Sequence, residues 1–252
     1  MPRPNTNEKI YIYGKNALVE ALENTPQVIK RVHLSPELDD PRLKHALKSR
    51  GIPVQMMDST EARRKVGEES HQGVIGVIDT SALMVPFGDF MAKMKPGKAT
   101  ALALMAEVQD PHNVGAIIRS AAAFGLSGVL IPEHNQAQVT GTVVKTSAGM
   151  AFRIPLISIG NVNDTLRTLK EAGFWIYGLS MEGNPLPSEK FDAPAVFVLG
   201  SEGAGIREKT LETCDITLSI PMHPRCESLN VAVSAGIVFN TWSHQHPHAM
   251  RA

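Results

Sequence analysis

Hydrophobic residues along the chain recur in two successive series of short strands and amphipathic helices. In the first series, up to about residue 79, the strand-like runs are VIKRVHLS, IPVQMM and GVIGVID. Helical spacing is found in GKNALVEALENT, PRLKHALKSRG and STEARRKVG. The first of these helices is predicted to bury a stripe made of Ala17, Leu18, Ala21 and Leu22. Strands separated by helices favour a mostly parallel or mixed sheet.

The second series begins at Ala101 and predicts a larger α/β sheet. ALALMAEV and GVLIP are apolar runs of the kind found in buried strands, and NVGAIIRSAAAFG between them has helical spacing. Further strands are predicted over FWIYGLS, AVFVLG and ITLSI, and a last helix over LNVAVSAGIVFNTWSHQ. This series therefore predicts about five or six strands in a typical α/β sheet domain.

A connector separates the two series. Between Thr80 and Thr100 the periodicity lapses, and Pro86, Gly88 and Pro96 interrupt the segment, which favours a connector with about one helical turn. We therefore predict a small N-terminal α/β domain over residues 1–79, a linker over 80–100 and a C-terminal α/β domain over 101–252.

Composition narrows the class of protein. Of 252 residues, 43% are hydrophobic and 20% are charged, which is typical of a globular chain. No apolar run approaches the ~18 residues that span a bilayer, and the N-terminus lacks the pattern of a secretory signal. With two cysteines, Cys214 and Cys226, and no CxxC pair, we expect a cytoplasmic protein without a membrane anchor. The 25 basic and 25 acidic residues balance, so any nucleic-acid-binding surface must be local.

Three segments carry polar residues where a strand ends and a helix begins. In open α/β sheets such positions, at the carboxyl ends of strands, bind ligands. The first segment is EVQDPHNVGAIIRSAAAFG, in which Asp110-Pro111 predicts a turn and Asn113 a helix cap. Arg119 follows inside the helix, where an isolated arginine usually extends to solvent.

The other two segments follow later strands. In AVFVLGSEGAGI, glycines surround Glu202, which favours a loop whose backbone N–H groups face a ligand, although a plain tight turn has the same composition. In ITLSIPMHPRCESLNVAVSAG, Ser228 is predicted to cap the last helix and Asn230 to lie in its first turn. Each segment alone is a weak indication of function.

Together, in this order and spacing, the three segments resemble the three motifs of the SpoU (TrmH) class of the SPOUT RNA methyltransferases. The matching stretches are NVGAIIRSAAAFG, FVLGSEGAGI and IPMHPRCESLNVAVSAGI. Upstream, IYGKNALVEAL and HQGVIGVI are similar to the N-terminal substrate-binding domain of the bacterial 23S rRNA (guanosine-2′-O)-methyltransferases. The resemblance covers nearly the whole chain.

The resemblance implies a fold, a reaction and a site. The fold is an α/β-knot methyltransferase domain with a deep trefoil knot, in a homodimer whose active site lies at the interface; periodicity would not predict a knot. The reaction is methyl transfer from S-adenosylmethionine to the ribose 2′-hydroxyl of a guanosine in RNA, expected to be 23S rRNA, without a metal. Three residues are implied to hold the cofactor: Gly200, Ile220 and Leu229. The implied catalytic set is Arg119, Asn113, Glu202, Ser228 and Asn230.

The role of Arg119 follows from its chemistry. A guanidinium remains protonated at ordinary pH, so it is a poor general base. We interpret Arg119 as a cation that binds the adjacent phosphate and lowers the pKa of the ribose hydroxyl. Glu202, a phosphate group or water then remain as candidates for the general base.

One departure from the family pattern concerns the third motif. Pro224 stands where the family usually has a glycine, and proline lacks the N–H donor that could face the cofactor. Small basic spots at Lys48–Arg50 and Arg63–Lys65 are either solvated helix faces or phosphate contacts for RNA.

Three alternative functions share features with this sequence. A tRNA 2′-O-methyltransferase would share the motifs, but the additional N-terminal domain favours ribosomal RNA. A non-catalytic RNA-binding or ribosome assembly factor would share the fold, but the chain keeps every polar residue of the motifs. A nucleotide-dependent oxidoreductase would carry the GxGxxG fingerprint, which this chain lacks.

Overall fold

The computed structural model describes residues 10–57, 72–79 and 82–251. The helix predicted over STEARRKVG and the basic spot Arg63–Lys65 lie outside these residues. By contacts, the chain forms two compact units. The first comprises Met1–Met84 and Val139–Arg153, and the second comprises Val85–Gln138 and Ile154–Ala252.

The first unit contains a four-stranded sheet in the order β1-β4-β2-β3. Its strands are β1 (Ile10–Tyr13), β2 (Ile29–Leu34), β3 (Val54–Met56) and β4 (Val74–Ile78). Both β1 and β2 pair antiparallel with β4, whereas β3 pairs parallel with β2. The sheet is therefore mixed, as predicted, and β1 is the strand that the sequence pattern missed.

Helices α1 (Lys15–Asn24) and α2 (Pro41–Ser49) pack in this unit. The predicted stripe of α1 is confirmed, because its four apolar residues are all buried. Helix α2 has proline at its first position, which suits the fixed φ of that residue, and Asp40 caps it through a bond from the Leu43 N–H.

A segment from the middle of the sequence also belongs to the first unit. It contains α5 (Gly141–Thr146) and a 3-10 turn at Met150–Phe152. Arg153 donates to Glu20 of α1, with Nη2 3.0 Å from Oε1. Gly149 has φ 81°, and a Cβ there would lie 2.8 Å from Cγ of Glu20, so glycine permits this close approach. Such contacts, far apart in sequence, leave no trace in local periodicity.

The second unit contains a seven-stranded sheet in the order β11-β9-β10-β6-β7-β8-β5. Its strands are β5 (Met84–Pro86), β6 (Ala101–Met105), β7 (Gly128–Pro132), β8 (Leu156–Ile159), β9 (Trp175–Pro185), β10 (Ala195–Leu199) and β11 (Ile216–Ser219). Strands β6 to β11 are parallel throughout. Their carboxyl ends therefore share one edge, which brings the loops after β6, β10 and β11 to the same side of the sheet.

Five helices belong to this unit: α3 (Phe87–Lys93), α4 (Pro111–Ala123), α6 (Val162–Glu171), α7 (Glu208–Leu211) and α8 (Val231–Gln245). The central strands β6, β7 and β10 are buried along their whole length, as their continuous apolar runs predict. Among the described residues, no helix is both long and apolar enough to cross a membrane.

The segment between residues 80 and 100 is more ordered than the sequence pattern predicted. It contributes the edge strand β5 and the two-turn helix α3, and not merely a single helical turn. The physical reason is burial: Phe87, Phe90, Met91 and Met94 pack against the core of the second unit.

Candidate active site

A cavity of about 530 Å³ lies between strand β9 and the loops that follow the strands β10 and β11. Its lining contains all three residues predicted to hold the cofactor, Gly200, Ile220 and Leu229. Glu202 is the only charged side chain in this lining, which is otherwise made mostly of aliphatic side chains and glycine backbone. Such a lining suits a largely apolar ligand that is held by a few polar groups.

The glycine-rich loop after β10 forms one wall of this cavity. Gly200 is buried, and a Cβ there would lie 2.2 Å from the carbonyl carbon of Gly205, so no other residue fits. Ser201 and Gly205 exchange two backbone hydrogen bonds of 3.0 Å, which close the loop. Gly203 and Gly205 have φ values of 88° and 67°, in the left-handed region that favours glycine.

Three polar side chains from distant segments meet at the rim of this cavity. Asn113 donates from Nδ2 to Glu202 Oε1 at 2.7 Å, and Asn230 donates to the same oxygen at 2.7 Å. The Asn230 amide also donates to Asn113 Oδ1 at 2.9 Å. Among the described residues, Glu202 Oε2 has no hydrogen-bond partner, so this oxygen is free to bind a substrate group.

The start of α4 differs from the prediction. The cap is Asp110, whose carboxylate accepts from the His112 N–H at 2.8 Å, and the helix begins at Pro111. Asn113 therefore lies inside the first turn, where it is 7% exposed and directs its side chain to Glu202. The prediction that Asn113 is the cap was wrong, because an Asp-Pro pair supplies both a capping acceptor and a preformed first position.

The start of α8 also differs from the prediction that Ser228 caps this helix. Asn230 is the cap, and its Oδ1 accepts from the N–H groups of Ala232 and Val233 at 2.9 and 3.3 Å. This orientation turns Nδ2 towards Glu202 and Asn113, so one amide caps the helix and joins the polar cluster. Ser228 is not the cap; it is exposed and lines the cavity.

Arg119 lies apart from these residues. It lies six positions after Asn113 on α4, so the two side chains point about 120° apart around the helix axis. Arg119 is exposed and does not line the cavity. Within the described part of the chain, no hydrogen bond or ion pair holds its guanidinium. The structure therefore brings together Asn113, Glu202, Ser228 and Asn230, but leaves Arg119 on another face of α4.

Gln136 is a buried residue that sequence reasoning missed. Its side chain is 7% exposed and bonds both backbone groups of Val108, with Oε1 2.9 Å from the Val108 nitrogen and Nε2 2.7 Å from the Val108 oxygen. The Gln136 side chain thus makes the two backbone hydrogen bonds that a neighbouring strand would otherwise make to Val108, which lies two positions before Asp110. A glutamine in HNQAQ gives no indication of this role, since glutamines are mostly exposed.

Pro224 lies in a tight turn. The Cys226 N–H donates to the carbonyl oxygen of His223 at 2.8 Å, which places Pro224 at the second position of the turn, where its fixed φ is favourable. Because Pro224 is not among the residues that line the cavity, the turn accommodates this departure from the family pattern.

A second cleft, of about 400 Å³, lies at the carboxyl ends of β6, β7 and β8. There Arg207 forms an ion pair with Glu107 and donates a hydrogen bond of 2.9 Å from Nε to Oε2. Glu107 has φ 69°, a conformation that costs a non-glycine residue roughly 1–2 kcal/mol. The position where many α/β proteins bind nucleotides is thus partly filled by an internal ion pair.

The two cysteines do not indicate thiol chemistry. Burial raises the pKa of the Cys214 thiol to about 11, so that this thiol stays protonated near neutral pH. Cys226 is exposed in the loop after β11. Within the described part of the chain, no cluster of three or more histidines, cysteines or carboxylates is arranged to hold a metal ion.

Comparison with known families agrees with the motifs. The model of the SpoU rRNA Methylase family matches residues 101–240. The chain belongs to this family. A second model, RNA 2′-O ribose methyltransferase substrate binding, matches residues 11–84. The resemblance noted in the sequence is therefore confirmed in both halves of the chain.

Curated relatives have similar lengths. The chain is 37% identical over 232 residues to the 23S rRNA (guanosine-2′-O-)-methyltransferase RlmB of Xanthomonas campestris, with 90% of this chain and 93% of that protein covered. It is 35% identical to the protein of the same name from Neisseria meningitidis, with 93% of this chain and 94% of that protein covered.

Among solved structures, the SpoU methyltransferase AviRb from Streptomyces viridochromogenes, in complex with the cofactor AdoMet, matches with a TM-score of 0.78. The match covers 94% of this chain and 90% of that chain at 20% identity. The comparison confirms the α/β methyltransferase fold.

Proposed function

We propose that this protein transfers a methyl group from S-adenosylmethionine to the ribose 2′-hydroxyl of a guanosine in 23S rRNA. The observation that carries the proposal is the meeting of Asn113, Glu202 and Asn230 at the rim of a cavity bordered by a glycine-rich loop. Family membership and the relatives named 23S rRNA (guanosine-2′-O-)-methyltransferase support the reaction and the substrate.

The cavity fits S-adenosylmethionine. Its aliphatic lining suits the adenine ring. Because Gly200 packs directly against Gly205 and has no side chain, a ligand can lie against the backbone of this loop. Gly200, Ile220 and Leu229 would hold the cofactor, and Glu202 is the single anion facing a cationic ligand. When bound, S-adenosylmethionine supplies an electrophilic methyl group, so the reaction has no need of a metal.

The polar cluster and Arg119 would act on the nucleotide. Glu202 Oε2 and Ser228 Oγ are available to orient the ribose hydroxyl, since the opposite carboxylate oxygen is held by two amides. Arg119 would bind the adjacent phosphate and lower the pKa of the hydroxyl by its fixed positive charge. The proton then passes to Glu202, a phosphate oxygen or water.

We further propose a homodimer in which Arg119 of one protomer completes the site of the other. Arg119 is exposed and does not line the cavity of its own chain, which supports a role in a second copy. Helix α8 is apolar around most of its circumference, and Val233 on its outer side is 51% exposed. A helix that is hydrophobic on all sides favours burial against a partner.

The domains of the chain would have different roles. Residues 1–79 would bind RNA, 80–100 would link the domains, and 101–252 would form the catalytic domain with the trefoil knot of the SPOUT class. A bacterial enzyme that modifies ribosomal RNA would act in the cytoplasm.

The proposal is tested by mapping ribose methylation in 23S rRNA from a strain that lacks the gene. We expect one 2′-O-methylguanosine to disappear, and to return when the gene is restored on a plasmid. Loss of a 2′-O-methyl group from tRNA would transfer the proposal to the tRNA enzymes. An unchanged methylation map with a defect in ribosome assembly would support a non-catalytic factor.

A further inference from the structure

The outward face of α2 in the first unit is basic at every turn. Leu43 and Leu47 are buried, and the remaining positions of the helix face solvent wholly or in part. No residue of the helix is acidic. Four of its exposed residues are basic: Arg42, Lys44, His45 and Lys48. Arg50 extends the series immediately after the helix. This concentration contrasts with the balanced charge of the whole chain.

Three acidic residues shortly precede α2 in sequence, and none of them forms an ion pair with this face within the described part of the chain; one of the three, Asp39, is exposed. Asp40 accepts from Leu43 N at the helix start and forms an ion pair with Lys15. Glu37 is bonded to Ser35. In the described part of the chain, no ion pair involves any of the four basic residues of α2.

Helix α6 of the second unit shows the usual arrangement. It has two basic residues, and each has an acidic partner. Arg167 binds Asp164 at 2.8 Å, one turn away, and Lys170 binds Asp215 at 2.9 Å. The charges of α6 are therefore satisfied within the fold, whereas those of α2 have no ion-pair partner among the described residues.

The arrangement in α2 opposes the stability of the helix. Lys44 and Lys48 are four residues apart, so their Cβ atoms are neighbours at about 5–6 Å, and like charges at this spacing destabilise a helix by roughly 0.2–0.5 kcal/mol. Arg42 places a cation in the first turn, where the helix dipole favours an anion. An anionic ligand bound along this face would offset both the repulsion between the two lysines and the unfavourable charge of Arg42.

We propose that this face, defined by Arg42, Lys44, His45 and Lys48, is a docking surface for the phosphate backbone of the RNA substrate. The inference rests on the proposed function, and it assigns to α2 the task of holding RNA away from the reacting ribose. Lysines bind phosphates as point charges without reading bases, so the surface contributes affinity and not sequence specificity. The substrate-binding family model, which spans residues 11–84, includes this helix.

The test measures RNA binding as a function of salt. The probe is 23S rRNA purified from a strain lacking the gene, and the variants are Lys44→Gln/Lys48→Gln and the control Lys93→Gln/Lys95→Gln, which removes two exposed lysines of the second unit. Each lost phosphate contact reduces the slope of log K against log salt by roughly 0.7–0.9, so the α2 variant should lose about 1.5. Affinity at 0.15 M salt should fall by about 20-fold. The control should keep the slope of the wild type.

Thermal unfolding distinguishes docking from damage. The substitution removes a like-charge pair but also the favourable charge of Lys48 in the last turn, so the α2 variant should unfold close to the wild-type temperature. In methyl transfer its KM for RNA should rise while kcat is unchanged. A stable α2 variant with the wild-type slope and affinity overturns the proposal. The binding assay involves no methyl transfer, so its outcome is independent of whether the protein is a methyltransferase.

Discussion

The two ends of α4 contrast sharply. At its start, Asn113 is buried and hydrogen-bonded to Glu202 and Asn230. Two turns later, Arg119 is exposed, and within the described part of the chain it has no partner. Asn113 is thus held by hydrogen bonds within its own chain, whereas the exposed side chain of Arg119 is available to bind a ligand.

The contrast separates two kinds of functional residue. Asn113 and Asn230 are oriented before substrate arrives, because Asp110 and the N–H groups of α8 fix the helix starts and the amide direction. Preorganised polar groups need no rearrangement during reaction. Arg119 has no such support, so its geometry must come from the RNA phosphate or from a second protomer. Substitutions at the two ends should therefore differ in their effects on rate and on stability.

The largest effect is expected for Arg119→Ala. Loss of a cation that stabilises developing charge should reduce kcat roughly 10²–10³-fold, by analogy with the loss of a positioned donor. The unfolding temperature and S-adenosylmethionine affinity should not change, since Arg119 contacts neither the core nor the cavity. Single-turnover kinetics and calorimetry check both statements. Weakened cofactor binding in this variant would mean that Arg119 helps to hold the cofactor and does not act on the nucleotide alone.

Mixing two inactive variants tests whether Arg119 acts in its own protomer or in the partner. Arg119→Ala and Glu202→Ala should each be inactive, and both positions are exposed, so both variants should fold. If Arg119 acts in the partner's site, unfolding and refolding an equimolar mixture should restore about a quarter of wild-type activity, because half of the dimers are mixed and each has one intact site. No recovery in a mixture that forms dimers would place both residues in the same chain's site.

Asn230→Ala is expected to affect both stability and rate. Removing the cap of α8 should lower the free energy of unfolding by about 1 kcal/mol. Glu202 would also lose one of its two amide donors, and misplacement of a catalytic group can cost roughly 10²-fold in rate. Chemical denaturation and initial rates measure the two effects. Asn230→Ser, which keeps a capping oxygen but no amide, should recover stability and not activity.

Gln136→Met should have the smallest effect on rate and a clear effect on stability. It leaves the buried Val108 N–H without a partner, at a cost of about 1–3 kcal/mol, while the Val108 carbonyl still accepts from Ala137 at 3.1 Å. Denaturant unfolding measures the loss. The control Gln138→Met alters an exposed glutamine two residues away and should be neutral. Equal stability of the two variants would show that the hydrogen bonds of Gln136 to Val108 do not stabilise the fold.

The sequence predicted the main elements because local periodicity reports burial. The stripe of α1 and the apolar runs of β6, β7 and β10 are examples. It did not predict the place of α5 in the first unit. That placement depends on contacts such as Arg153 with Glu20, 133 residues apart, which no local pattern contains.

The candidate site was predicted by residue, but not by role. Both helix starts offer two capping side chains, Asp110 or Asn113 and Ser228 or Asn230, and the sequence analysis chose the wrong one each time. Tertiary hydrogen bonds to Glu202 decide the choice at Asn113, and Asn230 performs both tasks with one amide. Roles of this kind follow from contacts between distant segments.

The most direct test of the central claim is transfer of labelled methyl from S-adenosylmethionine to RNA from a strain lacking the gene. Wild type and Arg119→Ala would be assayed side by side, on total RNA and on ribosomal precursor particles. We expect label in 23S rRNA, recovered after nuclease digestion as 2′-O-methylguanosine, and its near-complete loss in the variant. Absence of transfer by wild-type protein that binds the cofactor, or full activity of Arg119→Ala, would contradict the claim.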